Sequence, residues 1–299
     1  MSPATRQQGS SALQLRFWKG QALGNDYLIV DRAELAGPLS PARAILLCDR
    51  HRGAGADGVL VAELDTRPFG LRIINPDGTE AEKSGNGLRI FGAFLYGRSL
   101  VRRDEWFEVQ LPYETVAMRV EAQLAAGAVL IRARMGGARF DGAAVAFTAE
   151  PGEASGFALP LPDGDSAVIH TVSLGNPHCV VFVDALDRAD FLARAPQLCT
   201  HPAFAHGTNV QFARVAGPRE IEAWIWERGA GETLASGSSA CAVAAAAARR
   251  GFVPVGPLVV RMPGGSVDIT VRPDFHIELL GPAQMVYEAR LLEGIAADW

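Results

Sequence analysis

The chain has 299 residues, too long for one small core and enough for two domains of about 150 residues each. Apolar residues make up 48% and charged residues 20%, the balance of an ordinary globular protein rather than a disordered or fibrous one. A formal net charge of −5 argues against a nucleic-acid surface, which needs a basic excess, and leaves small zwitterionic ligands open.

In chain order, residues 1–12 are small and polar with no apolar stretch, which reads as a loose tail and not a secretion signal. Ser40 then caps a helix expected over 41–50. A strand is expected at 71–74, a helix at 87–97, and strands at 107–111, 129–133, 168–172, 179–183, 209–213 and 221–226. A helix over 239–250 follows, nearly all alanine and apolar on every side, hence buried; a strand at 258–262 comes after it. The longest apolar run, 240–248, falls far short of the roughly 18 residues of a membrane span. Cys48, Cys179, Cys199 and Cys241 form no C-x-x-C pair, so neither a metal nor a redox motif is expected, and a cytoplasmic protein with reduced thiols is. The remaining histidines, His51, His170, His201, His206 and His276, lack metal-like spacing and read as structural.

The chain also repeats itself. Leu23-Gly24-Asn25 recurs 151 residues later as Leu174-Gly175-Asn176, and Gly55-Ala56-Asp57 is echoed by Gly207-Thr208-Asn209 at 152. Asn75, Glu80, Ser84 and Gly85 align with Glu227, Glu232, Ser236 and Gly237 at 152, and Val109, Pro112 and Val116 with Val260, Pro263 and Val267 at 151. A period of this length is domain-sized. It implies an α+β fold of two pseudo-symmetric lobes, each a mixed sheet or barrel wrapped around a central buried helix. The lobes are expected at 13–135 and 136–283, with 284–299 packing back on the first.

Both buried helices open on a serine followed by glycine: Ser84-Gly85-Asn86-Gly87 and Ser236-Gly237-Ser238-Ser239. A helix start offers unpaired N–H donors and the positive end of the dipole, and suits a carboxylate. Serine caps alone explain either segment taken singly. Two at equivalent positions suggest one site between the lobes, with a proton-handling group on each face of a carbon centre.

The blocks Gly24-Asn25-Asp26, Asn75-Pro-Asp77-Gly78-Thr-Glu80, Gly85-Asn86-Gly87-Leu-Arg89, Gly175-Asn176-Pro177-His178-Cys179, Gly207-Thr208-Asn209-Val210 and Glu227-Arg228-Gly229-x-Gly231-Glu232-Thr233 resemble the signature of diaminopimelate epimerases. The resemblance runs from about Phe17 to the end of the chain. It implies an isomerase without pyridoxal phosphate, metal or other cofactor, acting on a small zwitterionic amino acid, with a homodimer as its assembly. Asn25, Asn75, Asn176, Asn209, Glu227 and Arg228 would hold the substrate, with Gly85, Asn86, Gly237 and Ser238 as helix-start donors. The catalytic positions fall on Ser84, beside His178, and Ser236, beside Glu227.

At both catalytic positions the family keeps cysteine and this chain has serine. A thiol near pKa 8.5 ionises readily; a hydroxyl needs a neighbouring base. Four readings follow from the serines: an epimerase working through Ser84–His178 and Ser236–Glu227, an isomerase or lyase on another substrate, a silent amino-acid binder, or a cysteine-to-serine variant of an epimerase.

Overall fold

The computed structural model describes residues 15–149, 152–162 and 164–291; the expected tail at 1–12 and the stretch after 291 lie outside the described residues. The first half begins with a hairpin of β1 (Arg16–Ala22) and β2 (Asn25–Asp31). Its turn places Leu23 and Gly24 at φ 55° and 86°, a left-handed pair that glycine relieves at one position. Helix α1 (Pro41–Cys48) carries the chain to β3 (Val59–Glu63), parallel to β2, and β4 (Phe69–Ile74) returns antiparallel. The short β5 (Glu80–Ala81) leads into α2 (Gly85–Gly97), which crosses to β6 (Trp106–Gln110), parallel to β4. The antiparallel β7 (Thr115–Gln123) and β8 (Val129–Gly137) complete this half.

The second half adds β9 (Ser155–Pro160) and then repeats the scheme with β10 (Ser166–Ser173), β11 (Pro177–Phe182), α3 (Arg188–Cys199), β12 (Asn209–Gly217), β13 (Glu220–Glu227) and β14 (Gly231–Thr233). Helix α4 (Gly237–Arg249), β15 (Gly256–Met262), β16 (Gly265–Val271) and β17 (His276–Arg290) end it. The pairings match strand for strand. β11 runs parallel to β12 as β2 does to β3, and β13 parallel to β15 as β4 does to β6. The long β17 serves both halves: 277–280 pair with β16, 276–283 with β8, and 284–290 with β1. The ring β1-β2-β3-β4-β6-β7-β8-β17 thereby closes as an eight-stranded barrel. The second ring closes through a backbone bridge between Arg139 and Ser173, with N–H···O distances of 2.9 and 2.8 Å.

Each barrel is filled by its helix. Leu88, Ile90, Phe91, Phe94 and Leu95 of α2 are buried, as is every residue from Ala240 to Ala247 of α4. Burying a side chain of the Leu or Phe class contributes about 1.5–3 kcal/mol, so α2 is a principal anchor of its barrel. The helices begin two residues before the expected 87 and 239, which brings Gly85 and Gly237 into their first turns. Helix α1 stops at Cys48 and not at 50, because the Asp49 carboxylate takes the His51 and Arg52 N–H groups. Helix α3 is an addition to the sequence reading. Its apolar stripe, Phe191, Ala195, Leu198 and Cys199, has helical spacing, but Pro196 and an otherwise polar face mask it.

A candidate active site where two helix starts meet

Helices α2 and α4 abut at their N-termini. A Cβ on Gly85 would lie 2.9 Å from the Gly237 Cα, and one on Gly237 would lie 2.9 Å from the Gly85 Cα and 2.8 Å from Arg89 Nη1. Only glycine at both positions allows this approach. Two positive helix ends therefore face one place. Behind them Arg89 is fully buried, donating to the Gly85 carbonyl (3.0 Å), Asn86 Oδ1 (2.7 Å) and the Pro282 carbonyl (3.3 Å). Burial lowers its pKa to about 10, which still leaves a cation at neutral pH. Asn86 ties the halves together, donating to Asn25 Oδ1 in the first (3.1 Å) and the Ala235 carbonyl in the second (2.8 Å).

Ser84 and Ser236 are the two N-caps. The Ser84 hydroxyl accepts from Gly87 N (3.0 Å), and the Ser236 hydroxyl from Ser239 N at a longer 3.4 Å. Beyond the cap the two differ. Tyr27, on β2, donates its hydroxyl to Ser84 Oγ at 3.2 Å. Ser236 lies 3.4 Å from the Ser238 hydroxyl and close enough to the Glu227 carboxyl to hold that group's pKa down. Burial raises the Glu227 pKa above the ordinary carboxylate range; Ser236 lowers it and nearby Asp57 raises it again.

His178 is not hydrogen-bonded to Ser84. It is fully buried, with Nε2–H donating to Asn176 Oδ1 (2.9 Å) and Nδ1 accepting from Gln211 Nε2 (3.1 Å), the neutral tautomer these partners select. Burial, with the Arg228 charge, pushes its pKa down to about 3. On β11 it lies two residues from Asn176, so both side chains project from the same face and bond each other.

The helix starts open on a cleft of about 350 Å³ lined by Tyr27, Asn75, Ser84, Asn176, Asn209, Glu227, Arg228 and Ser238. A smaller cavity of about 250 Å³ adjoins it, sharing Tyr27, Asn75, Glu227 and Arg228 and adding Asn25 and Asp57. The asparagines are themselves held. Asn75 donates to Thr79 Oγ1 (3.0 Å), Asn176 to Ser238 Oγ (3.4 Å), and Asn25 to Asp57 Oδ2 (2.8 Å). Asn209 bonds the Pro177 carbonyl (3.0 Å) and Arg228 N (2.9 Å), so it braces the site more than it faces it. The Arg228 guanidinium donates to the His206 carbonyl (3.1 Å) and reaches Glu82 Oε1 (3.3 Å), an ion pair between the two halves. Tyr27, Glu82, Arg89 and Gln211 are site residues that the sequence reading did not single out. Glu80 and Glu232, four residues before each serine, border the cleft and the adjoining cavity but are paired with Arg72 (2.8 Å) and with Arg188.

A larger cavity of about 620 Å³ lies elsewhere, beside Trp106 and Arg134. Among the described residues no cluster of three metal-ligating side chains occurs, and no helix is long and apolar enough to cross a membrane.

Residues 17–140 and 170–286 match the protein family described as diaminopimelate epimerase. A diaminopimelate epimerase of Pelotomaculum thermopropionicum is 39% identical over 280 residues, covering 91% of this chain and 97% of that protein. One called diaminopimelate epimerase 2, from Nostoc sp., is 36% identical over 285 residues, covering 95% and 98%. Among solved structures, a hydroxyproline epimerase from Agrobacterium vitis with bound trans-4-hydroxy-L-proline superposes with a TM-score of 0.70 at 11% identity, covering 95% of this chain and 94% of that one. A methylitaconate-delta-isomerase does so with a TM-score of 0.61 at 13% identity, covering 96% and 97%. These last two likenesses concern the fold. With two paired helix starts on a duplicated barrel, and relatives matched over nearly their whole length, this chain belongs to the diaminopimelate epimerase family.

Proposed function

We propose that the chain is an epimerase working without pyridoxal phosphate, moving a proton at the α-carbon of diaminopimelate or a close amino-acid relative. One observation carries the reading: two serine-capped helix starts abut at Gly85 and Gly237 and open on a single polar cleft through Ser84 and Ser238, with Ser236 buried next to Ser238. A carbanion beside a carboxylate needs fixed positive charge where it forms, and two helix dipoles with the Arg89 cation behind them supply it. Glu227 takes the α-proton through Ser236, and Ser84 returns one from the opposite side. Asn75, Asn176, Asn209 and Arg228 line the cleft where the substrate's polar ends sit, Asn209 also bracing Arg228, and Asn25 lines the adjoining cavity. Arg228 suits a carboxylate, since its guanidinium makes paired hydrogen bonds.

The same reading takes 136–283 as a second copy of the first lobe, a homodimer as the assembly and the cytoplasm as the compartment. The four cysteines are free and buried, which accords with a reducing environment.

The test is incubation with LL- or meso-diaminopimelate in deuterated water. We expect α-deuterium incorporation together with interconversion of the two isomers. Tight binding of either isomer with no exchange would establish a silent binder instead, a reading that the serines' own roles as helix caps favour.

A further inference from the structure

We propose that Tyr27 is the positioning and proton-relay partner of Ser84, so that the cleft holds two matched proton wires, Tyr27–Ser84 on one face of the substrate and Glu227–Ser236 on the other. The inference rests on the epimerase reading above and adds the group that makes its second hydroxyl workable.

The geometry singles out Tyr27. Its hydroxyl is 3.2 Å from Ser84 Oγ, and that oxygen also accepts from Gly87 N. With two donors already on the oxygen, the serine's own hydrogen is left to point into the cleft. The other candidate partner, His178, has both ring nitrogens engaged by Asn176 and Gln211. The tyrosine ring is buried, yet the residue lines both the cleft and the adjoining cavity. Its seat is shaped for it: a Cβ on Gly58 would stand 2.6 Å from Tyr27 Cε1, so the glycine leaves room for the ring.

The chemistry needs such a group. A serine hydroxyl is a poor acid; burial holds the Tyr27 phenol above its ordinary value near 10, so its proton moves only in the same step as that of Ser84. As Ser84 gives its proton to carbon, the Tyr27 proton moves to the serine oxygen, leaving tyrosinate. On the other face the α-proton passes to Ser236 as the Ser236 proton passes to the Glu227 carboxylate. One negative charge thus leaves Glu227 and one appears on Tyr27, and net charge is conserved. Burial and the Glu227 charge hold the tyrosine protonated. When Glu227 is neutralised, that second restraint is lifted at the moment the phenol must ionise. Water in the cleft returns the proton from Glu227 to Tyr27 after turnover.

The test is Tyr27→Phe in the full chain, with LL- and meso-diaminopimelate each incubated in deuterated water. Inversion should fall by about 10²–10⁴-fold, the usual contribution of a positioned proton donor. Deuterium exchange without inversion should persist for the isomer whose α-hydrogen faces Ser236 and vanish for the other. Unchanged inversion, or equal loss of exchange from both isomers, would overturn the proposal. A second measurement needs no substrate. In Ser84→Cys, iodoacetamide alkylation of the introduced thiol is followed against pH, the native thiols being buried. Adding Tyr27→Phe should raise the midpoint by about one unit, as loss of a hydrogen bond to the thiolate requires; an unmoved midpoint would refute the contact. If the wild-type chain exchanges neither isomer, the epimerase reading and the relay fall together, and the thiol titration still decides whether Tyr27 supports Ser84.

Discussion

Burial raises the Glu227 pKa and makes it a stronger base than a surface carboxylate, and in the proposed mechanism it acts through Ser236. We expect Glu227→Gln to lower turnover by about 10²–10⁴-fold with little change in amino-acid affinity, measured by steady-state kinetics and calorimetry. In the parent, activity should fall on the acid side at a pH above the ordinary carboxylate range, because the raised pKa leaves Glu227 protonated sooner. His178 makes a prediction about stability. Its folded pKa of about 3 lies below the unfolded value near 6.5, so only the unfolded state gains a proton between them. The stability from keeping it neutral is full above pH 6.5 and is lost progressively as pH falls toward 3, by up to about 1.4 kcal/mol per pH unit. Denaturant melts across that window should show a shallower slope in His178→Gln; an identical slope would mean that the ring is not held neutral by burial.

At the scale of elements, the central contact is the head-on approach of α2 and α4. Gly237→Ala would press a methyl group to 2.8 Å from Arg89 Nη1 and 2.9 Å from the Gly85 Cα. Overpacking of this kind costs about 1–3 kcal/mol, so a melting-temperature drop of several degrees and loss of exchange activity are expected. Gly97→Ala, at the other end of α2 with nothing within 4 Å of its Cβ, should leave both unchanged. Much of this arrangement was legible beforehand. The 151–152 residue offsets correspond to equivalent strands and turns, and the all-alanine helix is buried as its composition required. Other parts were hidden for physical reasons. Tyr27 lies in the run Tyr-Leu-Ile-Val, which reads as core strand, and only the fold brings its hydroxyl to a serine 57 residues away. Glu82 looks like a surface charge until the fold brings it, just after β5, opposite Arg228, just after β13. The expected pairing of His178 with Ser84 rested on resemblance, and strand alternation gives the ring to Asn176 instead.

Across the whole molecule, β17 threads both barrels, while Glu82 and Arg228 join the two halves beside the cleft. That ion pair is about one-third exposed on the arginine side and somewhat more on the glutamate side, so it is worth about 0–1 kcal/mol. It leaves Arg228 available to a substrate carboxylate that displaces Glu82. Glu82→Gln should therefore tighten amino-acid binding by up to about fivefold in calorimetry; weaker binding would show instead that Glu82 itself holds the ligand. The central claim is that both helix starts serve one carbon atom. A crystal structure with meso-diaminopimelate bound tests it directly. We expect the α-carbon between the Ser84 and Ser236 hydroxyls, with an oxygen on each side at about 3–3.5 Å and its carboxylate on the helix-start N–H groups. Density for the ligand beside Trp106 and Arg134, or an α-carbon reached by only one serine, would contradict it.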